Sequence, residues 1–293
     1  MLRVLAIAGA LLAAHLASPA SAQDRPVVVP VNYPLAYFAA RLGGDAVDVR
    51  YPVLESADPA FWEPSLSEIG GIQEADVIAL NGAGFAQWTT RVSLPRSATV
   101  DTTRGLEDRY IRTDAITHSH GDGDEHSHDA IASHTWLDFA IAADQTDALA
   151  VFMQRRMRNI ADRIAQNRAA LRDDLMALDA RAQSVAAGLE NTTILATHPV
   201  YQYFARAYGL TIESLGWEAG AMPSAEQWDA LAALQAETGA ETLVWEAAPR
   251  DEALARAEDM GLRSVVFPPL AAPPREGDFL SVMSDVLDAL EAQ

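Results

Sequence analysis

The chain has 293 residues, 49% of them hydrophobic, no cysteine, and a formal charge of −20 in which every basic residue is an arginine. That balance excludes a disulfide-stapled scaffold and a thiolate metal centre. It also makes nucleic acid a poor partner, because an acidic surface repels phosphate backbones.

Residues 1–22 have the build of a secretory signal peptide. Arg3 gives a basic start, Val4 to Leu16 form an apolar run broken only by His15, and Ala20-Ser21-Ala22 places small residues before Gln23. The run is shorter than the roughly 20 residues that span a bilayer, and no later stretch is apolar enough to do so. The expectation is an exported periplasmic protein that does not span the membrane. About 270 residues then remain, enough for two domains of roughly 100–200 residues each.

The first block alternates strand-like and helix-like segments. Pro26–Asn32 reads as a strand, Pro34–Leu42 as a helix ended by Gly43-Gly44, Val47–Val53 as a strand, Pro64–Ala75 as a helix, Asp76–Asn81 as a buried strand and Gly84–Val92 as another helix. From Asp124 to Ala187 there is neither glycine nor proline. Here Met153, Met157, Ile160, Ile164, Leu171, Leu175 and Leu178 recur at spacings of three, four and seven, a helical apolar stripe. Residues 143–189 therefore read as one long helix, or a helix with a single break, with a coiled-coil dimer seam as the alternative for a chain otherwise expected to be a monomer.

The second block repeats the alternation. Thr192–Thr197, Leu210–Leu215, Glu241–Trp245 and Arg263–Phe267 read as strands. Val200–Tyr208, Ser224–Thr238, Glu252–Met260 and Asp278–Glu291 read as helices, with Ser224 a plausible N-cap. Strands alternating with helices of this length imply parallel sheets with crossover helices. The predicted fold is α/β in two lobes: residues 23–142 and 190–293, joined by a rigid helix at 143–189. Clefts between such lobes commonly hold ligands.

Five of the seven histidines, His118, His120, His126, His128 and His134, crowd into one short stretch laced with acids and glycines. Such a tract reads as metal-binding. His118/His120 and His126/His128 are His-x-His pairs, whose side chains fall on one side of an extended segment. The Gly-Asp-Gly between them lets the chain turn back. His198, beside Pro199 at the end of an apolar strand, stands where ligands gather in parallel sheets. No His-Glu-x-x-His, no Gly-x-Ser-x-Gly and no cysteine nucleophile is present, so an enzyme is not expected.

Four segments, in order, resemble the periplasmic solute-binding proteins of zinc and manganese ABC importers. Asp58-Pro59-Ala60-Phe61-Trp62-Glu63-Pro64-Ser65 resembles the family's Asp-Pro-His-x-x-Glu-Pro-Ser. Ala75–Gly82 resembles its strand ending in Asn-Gly. Ser133-His134-Thr135-Trp136-Leu137-Asp138 resembles its Pro-His-x-Trp-Leu-Asp, preceded by a histidine-rich loop at 117–129. Thr197–Phe204 resembles the segment bearing a third ligand. The resemblance implies a metal receptor whose site takes one ligand from each of four segments, with His134 and His198 filling the second and third places. It also implies an importer's membrane permease as partner, with a periplasmic metallochaperone as a further one. Ala60 stands at the first ligand position and has no donor atom, while Pro268 stands near the fourth.

Two imidazoles alone leave a first-row cation half-coordinated by water. The expectation is that part of the histidine-rich loop completes the site begun by His198 and His134, with Glu63 and Glu246 as reserve carboxylates. The alternative for the loop is a low-affinity collector, for His134 a structural residue capping the next helix, and for Glu63 an acid at a helix N-terminus. A nitrogen-rich site without thiolate favours Zn2+, with other divalent transition metals tolerated. The function expected is capture of zinc for an ABC importer. A zinc chaperone or buffer without an importer, or a degenerate member that binds no metal, is the alternative.

Overall fold

The computed structural model describes residues 25–53, 57–113 and 130–292. The expected signal peptide and His118, His120, His126 and His128 lie outside these residues. In the first lobe, β1 (Val27–Pro30), β2 (Asp48–Val49), β3 (Val77–Leu80) and β4 (Thr99–Asp101) form a parallel sheet of order β2-β1-β3-β4. Its crossovers carry α1 (Tyr33–Gly43) and α2 (Leu66–Gln73). Asn32 caps α1 through a bond from Leu35 N, and Ser65 with Glu68 forms a capping box on α2, each satisfying backbone donors that a helix start leaves open. An antiparallel ribbon, β5 (Arg112–Thr113) with β6 (Ala130–Ile131), then brackets residues 114–129.

The second lobe repeats the plan. β7 (Thr193–Ala196), β8 (Thr211–Ser214), β9 (Thr242–Trp245) and β10 (Arg263–Val266) form a parallel sheet of order β10-β9-β7-β8. Its helices, α5 to α8 in chain order, are Gln202–Tyr208, Ala225–Thr238, Asp251–Asp259 and Phe279–Glu291. Ser224 does cap its helix, in a capping box with Gln227.

Between the sheets run α3 (Phe139–Arg156) and α4 (Ala161–Gly188). The stripe is therefore a helix with one break, at Met157 (φ −119°, ψ 61°). The break folds α3 back along α4, where Arg168 meets Asp147 at 2.6 Å and Arg172 meets Asp147 at 2.7 Å. At 28 residues, α4 is about 42 Å long and touches both lobes. Asn167 donates to the Leu42 carbonyl of α1 at 2.9 Å, and Arg181 reaches Glu291 of α8 at 3.0 Å. Met153, Met157, Ile164, Leu171, Leu175 and Leu178 are buried within this chain's own core, so the stripe is not an exposed seam. Among the described residues no helix is long and apolar enough to cross a membrane.

Two elements differ from expectation. Gly84–Val92 is not a helix: Gly82, Ala83 and Gly84 are all left-handed (φ 76°, 50° and 70°), and only a short 3-10 turn at Gln87–Thr90 follows. L-residues do not sustain a helix from such a start. The strand expected at Val47–Val53 shrinks to Asp48–Val49, ending before Pro52, which has no N–H to give a ladder.

The lobes are also tied by the segment after β10. Tyr201 donates to the Phe267 carbonyl at 2.7 Å within the second lobe, and the Trp136 indole of the first lobe donates to the Pro269 carbonyl at 2.6 Å. Tyr33 N reaches the Ala271 carbonyl at 2.9 Å.

Candidate metal centre

The residues of interest sit where parallel strands end, the edge at which such sheets collect ligands. Asn81 follows β3, His198 follows β7 by two residues, and Glu246 follows β9. His134 lies between β6 and the 3-10 turn Thr135–Leu137.

His134 is held by its surroundings. Its ring lies against Trp136 (centroids 4.9 Å apart) and edge-on to Phe85 (6.0 Å). Burial, followed by the charge of nearby His198, pushes its pKa down to about 3. The imidazole is therefore neutral at physiological pH, the form that ligates metal. It does not cap a helix: no side-chain cap bond opens the 3-10 turn, and α3 is capped by Asp138, which accepts from Ile141 N at 3.1 Å.

His198 presents its Nδ1 2.8 Å from the Trp217 carbonyl oxygen. A carbonyl only accepts, so Nδ1 carries the proton and Nε2 carries the lone pair. Metal-bound histidines are commonly oriented in this way by a bond on the other ring nitrogen. Trp217 N in turn donates to the Thr197 carbonyl at 2.8 Å, so the acceptor is braced by the residue beside the histidine.

Glu246 stands on the protonated side of that ring, with Oε2 4.0 Å from Nδ1. Its N–H donates to Thr197 Oγ1 at 3.2 Å. Burial raises its pKa, the His198 charge opposes the rise, and Asp58 and Glu218 add to it. Asp58 of the first lobe thus lies within the field of a carboxylate of the second. Glu63 is placed elsewhere: its exposed carboxylate pairs with Arg91 at 2.7 Å. Ala60 donates its backbone N–H to Asp58 Oδ1 at 2.9 Å, and Pro268 lies within the segment that ties the lobes.

Among the described residues no three His, Asp or Glu side chains form a group that could hold a metal ion. The structure brings together two neutral-capable imidazoles with a carboxylate behind one of them. Residues 114–129 leave from Thr113 and return at Ala130, paired in the ribbon a few residues before His134. Sequence reasoning did not single out Phe85, Asn81 as a side chain, or the Trp217 carbonyl. Only Asn81 carried a signal, as the Asn-Gly after a buried strand.

Comparison with known proteins gives a consistent picture. The family described as zinc-uptake complex component A, periplasmic (ZnuA), matches residues 28–293. The high-affinity zinc uptake system protein ZnuA of Bacillus subtilis is 24% identical over 285 residues, covering 92% of this chain and 87% of that protein. The zinc-binding lipoprotein AdcA of Streptococcus pneumoniae is 22% identical over 276 residues, 90% of this chain but 55% of AdcA, so the chain spans about half the length of that relative. The Zn(II)-bound ZnuA-like domain of S. pneumoniae AdcA superimposes with a TM-score of 0.76 at 19% identity, covering 91% of this chain and 98% of that one.

Proposed function

Since the chain belongs to the ZnuA family of periplasmic zinc-uptake components, we propose that it is an exported receptor that captures Zn2+ and delivers it to an ABC-type membrane permease. The observation that carries this reading is His198: a backbone carbonyl fixes its proton on Nδ1, leaving Nε2 as the donor atom at a strand end. His134 supplies a second neutral imidazole. The donor set is nitrogen-rich, which favours zinc over manganese.

In this proposal the histidine-rich loop at 117–129 completes the coordination, because the first- and fourth-position residues Ala60 and Pro268 provide no donor. The ribbon that anchors both ends of 114–129 near His134 supports that route. Glu246 acts behind His198, strengthening the imidazole as a donor, since it faces the nitrogen that carries the proton.

The test is zinc titration of the mature protein against a competing chelator, with His198→Ala and a deletion of 117–129. His198→Ala weakens tight binding more than about tenfold, equivalent to about 1.4 kcal/mol. The deletion abolishes the one-to-one site. A tight site that survives the deletion makes the loop an accessory collector, and unchanged binding in His198→Ala removes that residue from the centre.

A second reading, a periplasmic zinc buffer or chaperone without an importer, is favoured by the same two donor-free positions, which suit a weaker, exchanging site. Capture of a permease by the zinc-loaded protein but not by the metal-free protein separates the two.

A further inference from the structure

We propose that Asn81 is the positioning residue of the centre: its carboxamide grips the two neighbours of His134 and so sets where that imidazole enters the cleft. The inference rests on the reading of His134 as a zinc ligand.

Asn81 is 1% exposed, and both ends of its amide are committed. Nδ2 donates to the Ser133 carbonyl at 3.0 Å and to the Gly82 carbonyl at 3.1 Å. Oδ1 accepts from Gln145 Nε2 at 3.1 Å and Asn32 Nδ2 at 3.2 Å, and the Thr135 hydroxyl lies 3.3 Å away. Ser133 and Thr135 are the residues on either side of His134. One side chain therefore holds the backbone before the imidazole and the hydroxyl after it.

The imidazole needs such help. No hydrogen bond to either ring nitrogen of His134 is found among the described residues, so its direction follows from its backbone and from the Phe85 and Trp136 walls. Phe85 itself comes from the turn that Asn81 opens, with Phe85 N donating to the Gly82 carbonyl at 3.1 Å. The far side of the network is equally fixed. Asn32 caps α1, Gln145 belongs to α3 and also donates to Thr102 Oγ1 at 3.0 Å, and Thr103 Oγ1 donates to the Asn81 carbonyl at 2.9 Å. The frame that aims His134 is thus bolted to three elements of the first lobe.

The chemistry requires an amide. An aspartate at this place would set an oxygen against the Ser133 carbonyl, and an aliphatic residue would take from the Ser133 carbonyl its amide donor and from Gln145 one of its two side-chain acceptors. A purely structural residue would lower stability without caring whether His134 is present, whereas a positioning residue acts on zinc only through His134. That difference is measurable.

The experiment compares zinc affinity, by chelator competition on the mature protein, in the parent, Asn81→Ala, Thr135→Val, His134→Ala and the Asn81→Ala/His134→Ala double variant, with the metal-free thermal midpoint confirming folding. Asn81→Ala weakens zinc binding about 10- to 100-fold, the range for residues that orient a metal ligand. The double variant binds no more weakly than His134→Ala alone. Thr135→Val, which removes one grip at nearly constant volume, shifts affinity in the same direction by a smaller factor, and carries the same cycle with His134→Ala if Asn81→Ala does not fold. Weakened binding in His134→Ala with unchanged affinity in the Asn81 or Thr135 variant, or losses that multiply in the double variant, overturns the proposal. Unchanged binding in His134→Ala instead overturns the reading of His134 as a ligand on which it rests.

Discussion

Substituting Gly82 by alanine tests whether the left-handed turn after β3 is a built part of the site or an incidental loop. Gly82 and Gly84 share a left-handed backbone, φ 76° and 70°, so alanine at either incurs about 1–2 kcal/mol of conformational strain. Part of that is offset, by about 0.4–1 kcal/mol, because alanine narrows the unfolded ensemble. At Gly84 nothing lies within 4 Å of the added Cβ, and the net cost is about 1 kcal/mol or less. At Gly82 the Cβ would fall 1.9 Å from Thr103 Oγ1, 2.5 Å from Asp101 Oδ1 and 3.0 Å from Tyr110 Oη. Those atoms cannot step aside singly. Thr103 is fully buried, and its hydroxyl donates to the Asn81 carbonyl at 2.9 Å and lies 2.7 Å from Tyr110 Oη. Breaking two or three such bonds adds about 1 kcal/mol each, for a total of about 3–4 kcal/mol at Gly82. Urea unfolding of the metal-free protein reads this directly, as a lower midpoint at constant m. The thermal midpoint falls on the order of 10 °C, at about 2–4 °C per kcal/mol for a chain of this size class. Equal losses at Gly82 and Gly84 would refute the reasoning, since only the first meets the buried hydroxyls.

Three further outcomes follow from the geometry. The pKa of His134 is depressed from 6.5 to about 3, so between those values the unfolded chain binds the extra proton and stability rises with pH. Acidifying the metal-free protein from pH 7 to 4.5 should lower its stability by up to about 1.4 kcal/mol per pH unit from this group. His134→Gln should flatten that slope, while the raised pKa of Glu246 gives the opposite sign, stability falling as pH rises through it; urea melts in both proteins in which the slope is unchanged by the substitution would contradict this. Leu175→Ala empties a fully buried position on α4 and should cost about 2–5 kcal/mol, seen as a lower calorimetric midpoint; a loss under 1 kcal/mol would mean that the stripe is not core. Trp217→Phe keeps the carbonyl that orients His198 but replaces an indole 5.1 Å from Trp228 and 5.7 Å from Trp245 by a smaller ring, so zinc affinity by chelator competition should hold within about twofold; a larger loss would mean that the indole, and not the carbonyl, sets the imidazole.

The second lobe was nearly all legible, because its helices end at glycines that the fold uses in the left-handed region, Gly209 (φ 67°) and Gly239 (φ 67°), and a short strand follows each. The first lobe was harder. Thr99–Asp101 is too short and too polar to read as a strand, yet it pairs with β3 over its whole length. Gly84–Val92 has helical spacing, but its entry turn is left-handed, a backbone property that residue types hint at only through two glycines. The break at Met157 carries neither glycine nor proline. It is set by tertiary packing, with Arg168 and Arg172 on α4 meeting Asp144 and Asp147 on α3. At the site, His198 was legible from its strand-end position, but the group that orients it is a backbone carbonyl, which has no sequence signature. Glu246 was expected as a reserve ligand carboxylate, and the structure sets it 4.0 Å from Nδ1, on the protonated side of the His198 ring. That distinction belongs to geometry alone, because residue spacing does not say which imidazole nitrogen a carboxylate faces. Glu63 had a nearer partner in Arg91, 28 positions away.

The donor-free position at Pro268 is not idle. The segment carrying Pro268 ties the lobes through the Pro269 and Ala271 carbonyls. Within it Leu270 is buried and left-handed at φ 59°, a strained state that persists only where surrounding contacts over-determine it. One of those contacts is the Trp136 indole, whose ring packs against His134. In the proposed zinc centre, a tie of this kind sets the spacing of the two imidazoles before any ion arrives. Binding energy then need not be spent on drawing the lobes together, which is how pre-organisation raises affinity without adding contacts. A centre with fewer first-rank donors gains the most from such a frame, because each donor that remains is already in place.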